Sequence, residues 1–441
     1  MENKIYPKVL VVSHNAFSTT SNMGKTMAAF FYGWEKENIA QMYFHMEFPD
    51  SDICENYFRV TDFEMIDSII KFKKPGGVLG ENEIKLDTSS NNLATGIKSD
   101  IYKMGKKKKS YMYSFRNLIW DSGKWKTQEF IDWIDVFNPE VVFYAAGDYM
   151  FSMKIAISIC EMKNIPLVVF FGDDYYFNNI HKGWMLNMYN KNKFRNEFMN
   201  LFSYLSSFIA ASDKMLREYN SVFHKAGYAI MTSTEIRAEE ISHNKTNEIK
   251  ISYIGNLGGG RWKSLREISE CLKRMGISLN VYSGENRNSI LKELNEENGI
   301  LFHGSIPANK VNDIIKSSTI VIHVESMDNI NIERTQYSMS TKIAESLGSG
   351  VCIFAYGPKD VSSMEYLIEN KAACVVTDKQ NLEAKLMEII NCKELRDEYI
   401  SNALRLAVNR HNFMENSELF YKIITESIRE KKGHENENIT S

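Results

Sequence analysis

Short apolar runs alternate with amphipathic stretches along almost the whole chain, and this alternation constrains the fold most. In the first half the runs are KVLVVS (Lys8–Ser13), VVFYAA (Val141–Ala146), LVVFF (Leu167–Phe171) and SFIAAS (Ser207–Ser212). In the second half they are KISYIG (Lys250–Gly255), SLNVYS (Ser278–Ser283), GILFHG (Gly299–Gly304), TIVIHV (Thr319–Val324), VCIFAY (Val351–Tyr356) and ACVV (Ala373–Val376). Continuous apolar runs of this length read as strands buried on both faces. Helices between them read as the cover of parallel sheets. A chain of 441 residues exceeds what one such core normally holds. The polar segment TSTEIRAEEISHNKTN (Thr232–Asn247) is the natural place to divide it. The expected architecture is therefore α/β, with two Rossmann-like domains over residues 1–240 and 249–411. An amphipathic helix follows at 412–430. The charged stretch 431–441 is expected to be disordered.

The turn after the first strand ends in Gly24-Lys25-Thr26, which resembles the close of a phosphate-binding loop. The pattern needs a glycine five residues before Gly24, where the backbone curls around phosphates. That position is Thr19, and the stretch between holds no glycine. No strand ending in a magnesium-binding aspartate stands out either. The turn reads instead as a strand-to-helix connection capped by Asn22 or Ser21, at the carboxyl end of a parallel strand where ligands are bound.

The net charge of −3 argues against nucleic acid as a partner. The six cysteines contain no C-x-x-C pair and several lie in apolar runs, so free buried thiols in a reducing cytoplasm are expected. The longest apolar stretch, Val141 to Cys160, is broken by Asp148 and Lys154, and no secretory signal pattern opens the sequence. One segment departs from the alternation. From Lys71 to Tyr113 the chain is polar, and Lys106 to Lys109 are consecutive cations beside aromatic residues. A solvated loop explains them, and so does peripheral contact with an anionic membrane face or a phosphate-bearing acceptor.

The residues that carry chemistry lie in the second half. KISYIG leads into NLGGGRWKSLREI, where Gly258, Gly259 and Gly260 follow a strand end and Arg261 and Lys263 come directly after. Glycines there permit close backbone approach, and the cations supply charge for phosphate oxygens. Further on, a helix begins near Ser340-Thr341 and ends at Gly348-Ser349-Gly350. Its start offers two hydroxyls, free N–H groups and Lys342, a set suited to a diphosphate. Glu345 is at the wrong offset from Ser340 or Thr341 for a capping box, which leaves it available to accept from ribose hydroxyls or simply to sit near the positive helix end.

With these residues in view, YSMSTKIAESLGSGVCIFAYGP resembles the donor-nucleotide site of GT-B glycosyltransferases. It is most similar to their retaining, glycogen-synthase-like group and its bacterial capsular and exopolysaccharide branch, with S-T-K-I-x-E-Y-L-x-S-G. The runs SHNAFSTTSNMGKTMAAFF, RNLIWDSGKWK, PEVVFYAAGDYMF and GNLGGGRWKSL resemble that branch as well. The resemblance implies a nucleoside diphosphate sugar as donor and a glycan acceptor carried on lipid, used in surface polysaccharide synthesis. It implies two facing Rossmann-like domains and a last helix that returns to the N-terminal one. By the same resemblance, Glu345 is the second acid of an E-x7-E motif and holds the ribose. Arg261, Lys263 and Lys342 face the leaving diphosphate, with Gly258, Gly259, Ser340 and Thr341 around it. The backbone at His303, Gly304, Ser305 and Ile306 lines the nucleobase. The first acid of the motif falls on Tyr337, so the sugar does not carry over by analogy.

Such a transferase needs no metal where arginine and lysine supply the charge, and no D-x-D stands where a metal-dependent one would carry it. No cofactor is expected. The first domain is expected to hold the acceptor through strand-end loops, with His14, Asn15, Gly24, Lys25, Asp148, Asp173 and Asp174 as candidates. Helix caps and ordinary loop contacts account for the same residues. A cytoplasmic protein, peripheral on the inner membrane face, fits these expectations. Two other readings use the same architecture: a nucleotide-sugar epimerase and a catalytically silent GT-B partner protein.

Overall fold

The computed structural model describes residues 4–19, 22–80, 110–177, 185–236 and 249–440. The basic segment at Lys106–Lys109 and residues 237–247 of the expected connection lie outside them. The chain divides into two units. The first comprises 1–210, 216–229 and 417–441, and the second comprises 211–215 and 230–416.

The first unit is built on an eight-stranded sheet. Its strands are β1 (Val9–Ser13), β2 (Ile39–Tyr43), β3 (Asn56–Arg59), β4 (Gly77–Val78), β5 (Val141–Ala145), β6 (Leu167–Phe171), β7 (Ser207–Ala210) and β8 (Gly227–Ala229). The order is β4-β3-β2-β1-β5-β6-β7-β8. All neighbours are parallel except β3 and β4. β1 sits centrally, with Val9 opposite both Ile39 and Val141, and every residue of β1, β5 and β6 is buried. The chain order reverses at β1, the place where such sheets bind ligands beyond their carboxyl ends.

The last helix, Phe413–Thr440, joins this unit from Ser417 onward. Phe420 is fully buried among Phe30, Phe31, Trp34 and Phe143. The helix continues through 431–440, which composition marks as disordered. Glutamate and lysine are good helix formers, so a charged stretch extends a helix already anchored upstream.

The second unit holds a six-stranded parallel sheet. Its strands are β9 (Ile251–Ile254), β10 (Leu279–Tyr282), β11 (Ile300–Gly304), β12 (Ile320–Val324), β13 (Cys352–Tyr356) and β14 (Cys374–Val376), in the order β11-β10-β9-β12-β13-β14. All six are the runs read from the sequence. One face packs Leu265, Ile268 and Leu272 of the Arg261–Arg274 helix, and the other packs Ile343, Leu347 and Met364. The segment after β8 also belongs here. His411 Nδ1 is 2.7 Å from the Thr232 carbonyl, and Asn416 Nδ2 donates to the Met231 carbonyl at 3.0 Å. Met231 itself is buried in this core. Residues 230–236 thus go with the second unit, although their polar sequence reads as a connection.

Each unit is thus a Rossmann-like α/β body, the second with a wholly parallel sheet and the first parallel but for β4.

Candidate donor site

β9 ends at Ile254, and a glycine turn leads to the helix that starts at Arg261. Gly260 has φ +79°, and a Cβ there would lie 2.5 Å from Ser326 Oγ and 2.8 Å from Asn331 Nδ2. The close approach that requires a glycine is thus to the loop after β12. The Gly258 N–H donates to Asn256 Oδ1 at 2.6 Å, and Gly259 has φ +62°.

The same loop supplies the partners of both cations. Arg261 donates from Nε and Nη2 to Glu325 Oε2 at 3.1 and 2.9 Å, and from Nη2 to Oε1 at 3.3 Å. Lys263 Nζ lies 2.8 Å from Asp328 Oδ2, with both side chains well exposed. Glu325 is buried, 3% exposed. Burial raises its pKa, and the Arg261 charge opposes that rise. The sequence shows Glu325 just past a strand end and Asp328 close behind as acids near the site, but not what they pair with, because a pairing across the end of a sheet leaves no local pattern.

The second cluster lies around the Thr341–Leu347 helix. Ser340 is its N-cap residue but makes no side-chain cap hydrogen bond. Lys342 Nζ is 3.0 Å from Glu345 Oε2, one turn along. Lys342 also lines a cleft of about 510 Å³ with Asn256, Tyr282, Arg287, Ser305 and Ile306. At the cleft's β10–β11 side the Tyr282 ring stacks on His303 at 4.4 Å and 13°, and His303 Nε2 is 2.9 Å from Asn280 Oδ1. Gly304 takes φ +74°, which turns the chain at the end of β11. Glu285, another lining residue, is held by the Arg287 side chain and by the N–H groups of Asn286 and Arg287. The Arg287 hydrogen bond lowers the Glu285 pKa to about 2. Of the residues expected to bind the donor, Ser305, Ile306 and Lys342 line one cleft. Arg261 and Lys263 are held at the neighbouring strand end by Glu325 and Asp328.

The candidates in the first unit divide in two. His14 and Asn15 follow β1. The His14 ring is 4.7 Å from Tyr149 and 5.3 Å from His45, and its Nδ1 is buried with no hydrogen-bond partner among the described residues. Burial, reinforced by the charge of Arg116, lowers the His14 pKa to about 3, so the ring is neutral. Asn15 Nδ2 donates to Glu47 Oε1 at 2.8 Å, and the Asp148 carbonyl accepts from Tyr113 at 3.1 Å. Sequence reasoning missed Arg116 in this group. Its guanidinium lies 4.1 Å from the Tyr149 ring centre and donates from Nε to Asp62 at 2.8 Å.

The remaining candidates are held in structural contacts or lie at the surface. Asp174 is buried, and its Oδ1 accepts from the N–H groups of Tyr176 and Phe177 and from the Tyr219 hydroxyl, which fixes the turn after β6. Asp173 and Lys25 are exposed. A Cβ on Gly24 would lie 2.5 Å from the Ala16 carbonyl oxygen, so that glycine packs the turn against its own strand end. Among the described residues no acid, histidine and cysteine cluster is arranged to hold a metal, and no helix is long and apolar enough to cross a membrane.

Residues 244–420 match a family model described as glycosyl transferase-like. No curated protein is similar to the chain at a significant level. Solved structures share its fold. HepE (Alr3699) of Anabaena, in complex with UDP and glucose, aligns over 95% of this chain and 100% of its own, at 11% identity and TM-score 0.58. Sucrose-phosphate synthase of Thermosynechococcus elongatus aligns over 95% and 98%, at 9% identity and TM-score 0.59. WaaG, a glycosyltransferase involved in lipopolysaccharide biosynthesis, aligns over 95% and 99%, at 11% identity and TM-score 0.55. The fold is thus GT-B, and residues 244–420 are similar to the glycosyl transferase-like family.

Proposed function

We propose that this protein transfers a hexosyl group from a nucleoside diphosphate sugar to a glycan acceptor carried on lipid, with retention of configuration and without a metal. The observation that carries this reading is Lys342. It lies in the first turn of its helix, lines the 510 Å³ cleft and is paired with Glu345. As the anomeric bond breaks, the sugar becomes oxocarbenium-like and the diphosphate gathers negative charge. A fixed ammonium beside that charge stabilises the transition state more than the ground state. Tyr282 and the backbone at Ser305 and Ile306 form the wall suited to a base. In this reading Glu345 accepts from ribose hydroxyls once a diphosphate engages Lys342. The departing phosphate can take the acceptor proton, so no separate base is needed. His14, neutral and beside Tyr149, belongs to the acceptor side in this reading.

UDP-glucose is the first donor to test, because HepE is solved with UDP and glucose. Calorimetry and thermal shift with UDP, GDP, dTDP and ADP should single out one nucleotide. At a hundredfold excess over its Kd that ligand stabilises the protein by about 2.7 kcal/mol. Mass spectrometry of the matching sugar nucleotide should show free nucleoside diphosphate and released sugar. A sugar nucleotide epimerised without cleavage, or no shift with any nucleotide, would overturn the proposal.

A further inference from the structure

We propose that Glu325 is a positioning residue for donor binding. It clamps Arg261 through Nε and Nη2 and leaves Nη1 for the donor's diphosphate. The inference rests on the donor site proposed above.

Glu325 is fixed from several directions. Its carbonyl accepts from Ser264 Oγ at 2.7 Å, on the same helix as Arg261. Its backbone passes so close to the next strand end that a Cβ on Gly357 would lie 2.9 Å from Glu325 Cβ. Its Oε1 accepts from Ser363 Oγ at 3.4 Å, and His323 Nε2 lies 3.1 Å behind that hydroxyl. If the serine proton goes to Glu325, His323 donates through Nε2, and the chain runs His323, Ser363, Glu325, Arg261. Arg261 Nη1 makes no hydrogen bond among the described residues.

This arrangement is costly for a fold that needs only packing. Burying an ion pair is commonly neutral or unfavourable against apolar residues of similar size. Arg261 is also the first residue of its helix, where the backbone dipole disfavours a cation. Glu325 offsets that field and removes the rotamer freedom that makes a free arginine a poor anion clamp. A guanidinium held along one edge offers the other to a phosphate oxygen without reorganising, which is how electrostatic groups assist charge transfer best.

The test compares nucleoside diphosphates with their monophosphates, UDP with UMP and GDP with GMP, by calorimetry on the full chain. The pair with the larger diphosphate preference is carried forward. Glu325→Gln should weaken the diphosphate about tenfold and the monophosphate by less than about twofold. In an Arg261→Gln background the same change should add less than about twofold, because its effect runs through the guanidinium. Ser363→Ala leaves the carboxylate in place and guards against misfolding of the first variant. It should weaken the diphosphate about threefold with the monophosphate unchanged. A wild type with no diphosphate preference overturns the donor-site reading itself. A wild type that prefers the diphosphate, with variants that weaken both ligands equally or add independently of Arg261, overturns only the role of Glu325.

Discussion

Lys342 and Glu345 lie one helical turn apart, with Nζ and Oε2 separated by 3.0 Å. The lysine side chain is 42% exposed. Exposed pairs of this kind stabilise a fold by at most about 1 kcal/mol. The pair therefore separates function from stability. Lys342→Ala should leave the denaturation midpoint almost unchanged while nucleoside diphosphate affinity falls tenfold or more. Calorimetry beside a urea titration reads both quantities. Unchanged affinity in a folded variant would remove Lys342 from the donor site.

Arg261 behaves differently, because its partner is buried. Arg261→Ala strands Glu325 without a counter-ion, and breaking a buried pair from one side typically costs about 3–5 kcal/mol. Part of that is recovered if Glu325 takes up a proton, which its raised pKa favours. Replacing both residues with leucine should restore much of the stability and none of the binding. Urea denaturation of the single and double variants decides it. A double variant no more stable than Arg261→Ala would contradict the account.

Gly260→Ala should cost both stability and nucleotide affinity. Its φ of +79° is strained for any other residue, and the new Cβ would meet Ser326 Oγ and Asn331 Nδ2. Relief moves either the Arg261 helix start or the loop that carries Asp328. A loss of about 2 kcal/mol is expected. Gly259→Ala, with no atom closer than 3.9 Å, should lose less. Equal losses in the two variants would show that packing against Ser326 is unimportant.

These contrasts mark how far the sequence could be read. The strands of the second unit were legible because each is a short, mostly apolar run between polar or glycine-bearing stretches, even where Ser252, Asn280 or His323 interrupts it. β2, with Gln41 fully buried in its middle, was not among the runs read. The Gln41 amide donates to Ser13 Oγ at 2.9 Å and accepts from the Phe17 N–H at 3.0 Å. Arg261 and Lys342 were legible as cations beside a strand end and a helix start. Glu325 and Asp328 were visible as acids after a strand end, but their partners, 64 and 65 residues away, were not. The same holds for Arg116 and Asp62, 54 residues apart. Side-chain pairing across loops is set by the finished sheet, and the sheet is what the sequence leaves unplaced.

Acid should destabilise both units through histidines. Burial lowers His14 and His323 to about 3 and His411 to about 4. Above the ordinary value of 6.5 these rings are neutral in folded and unfolded chains alike and contribute nothing. Below it the unfolded chain binds protons that the native one refuses, so stability falls as pH drops. Each buried ring then contributes about 2 kcal/mol of destabilisation by pH 5. His411 shows why. Its Nδ1 faces the Thr232 carbonyl and its Nε2 faces the Tyr366 hydroxyl, and the neutral ring satisfies both. Arg410 nearby lowers its pKa further, and Asp213 acts against that. Glutamine can make the same two bonds, so His411→Gln should flatten stability between pH 6.5 and 5 by about one proton's slope. An unchanged slope would mean that His411 is protonated in the native state.

Phe420 ties the final helix to the first unit's aromatic core. It lies 5.2 Å from Phe30 in a stacked arrangement and 4.9 Å from Phe143 edge-on, so the final helix closes the core that β1 and β5 begin. Phe30 belongs to the helix that carries Gly24 and Lys25, and Phe143 lies on the strand that leads to Asp148 and Tyr149. Phe420→Ala should destabilise the first unit by about 3–5 kcal/mol, as large-to-small changes in dense aromatic cores do. Phe420→Leu keeps most of the volume and should lose clearly less. Because the aromatic rings that Phe420 packs against among the described residues all belong to the first unit, nucleotide binding by the second unit should survive in Phe420→Ala below its unfolding midpoint. Urea titration followed by tryptophan fluorescence, with Trp34 as the reporter 5.7 Å from Phe420, measures the first effect. Calorimetry measures the second. Loss of nucleotide affinity in proportion to the loss of stability would show instead that the two units fold as one.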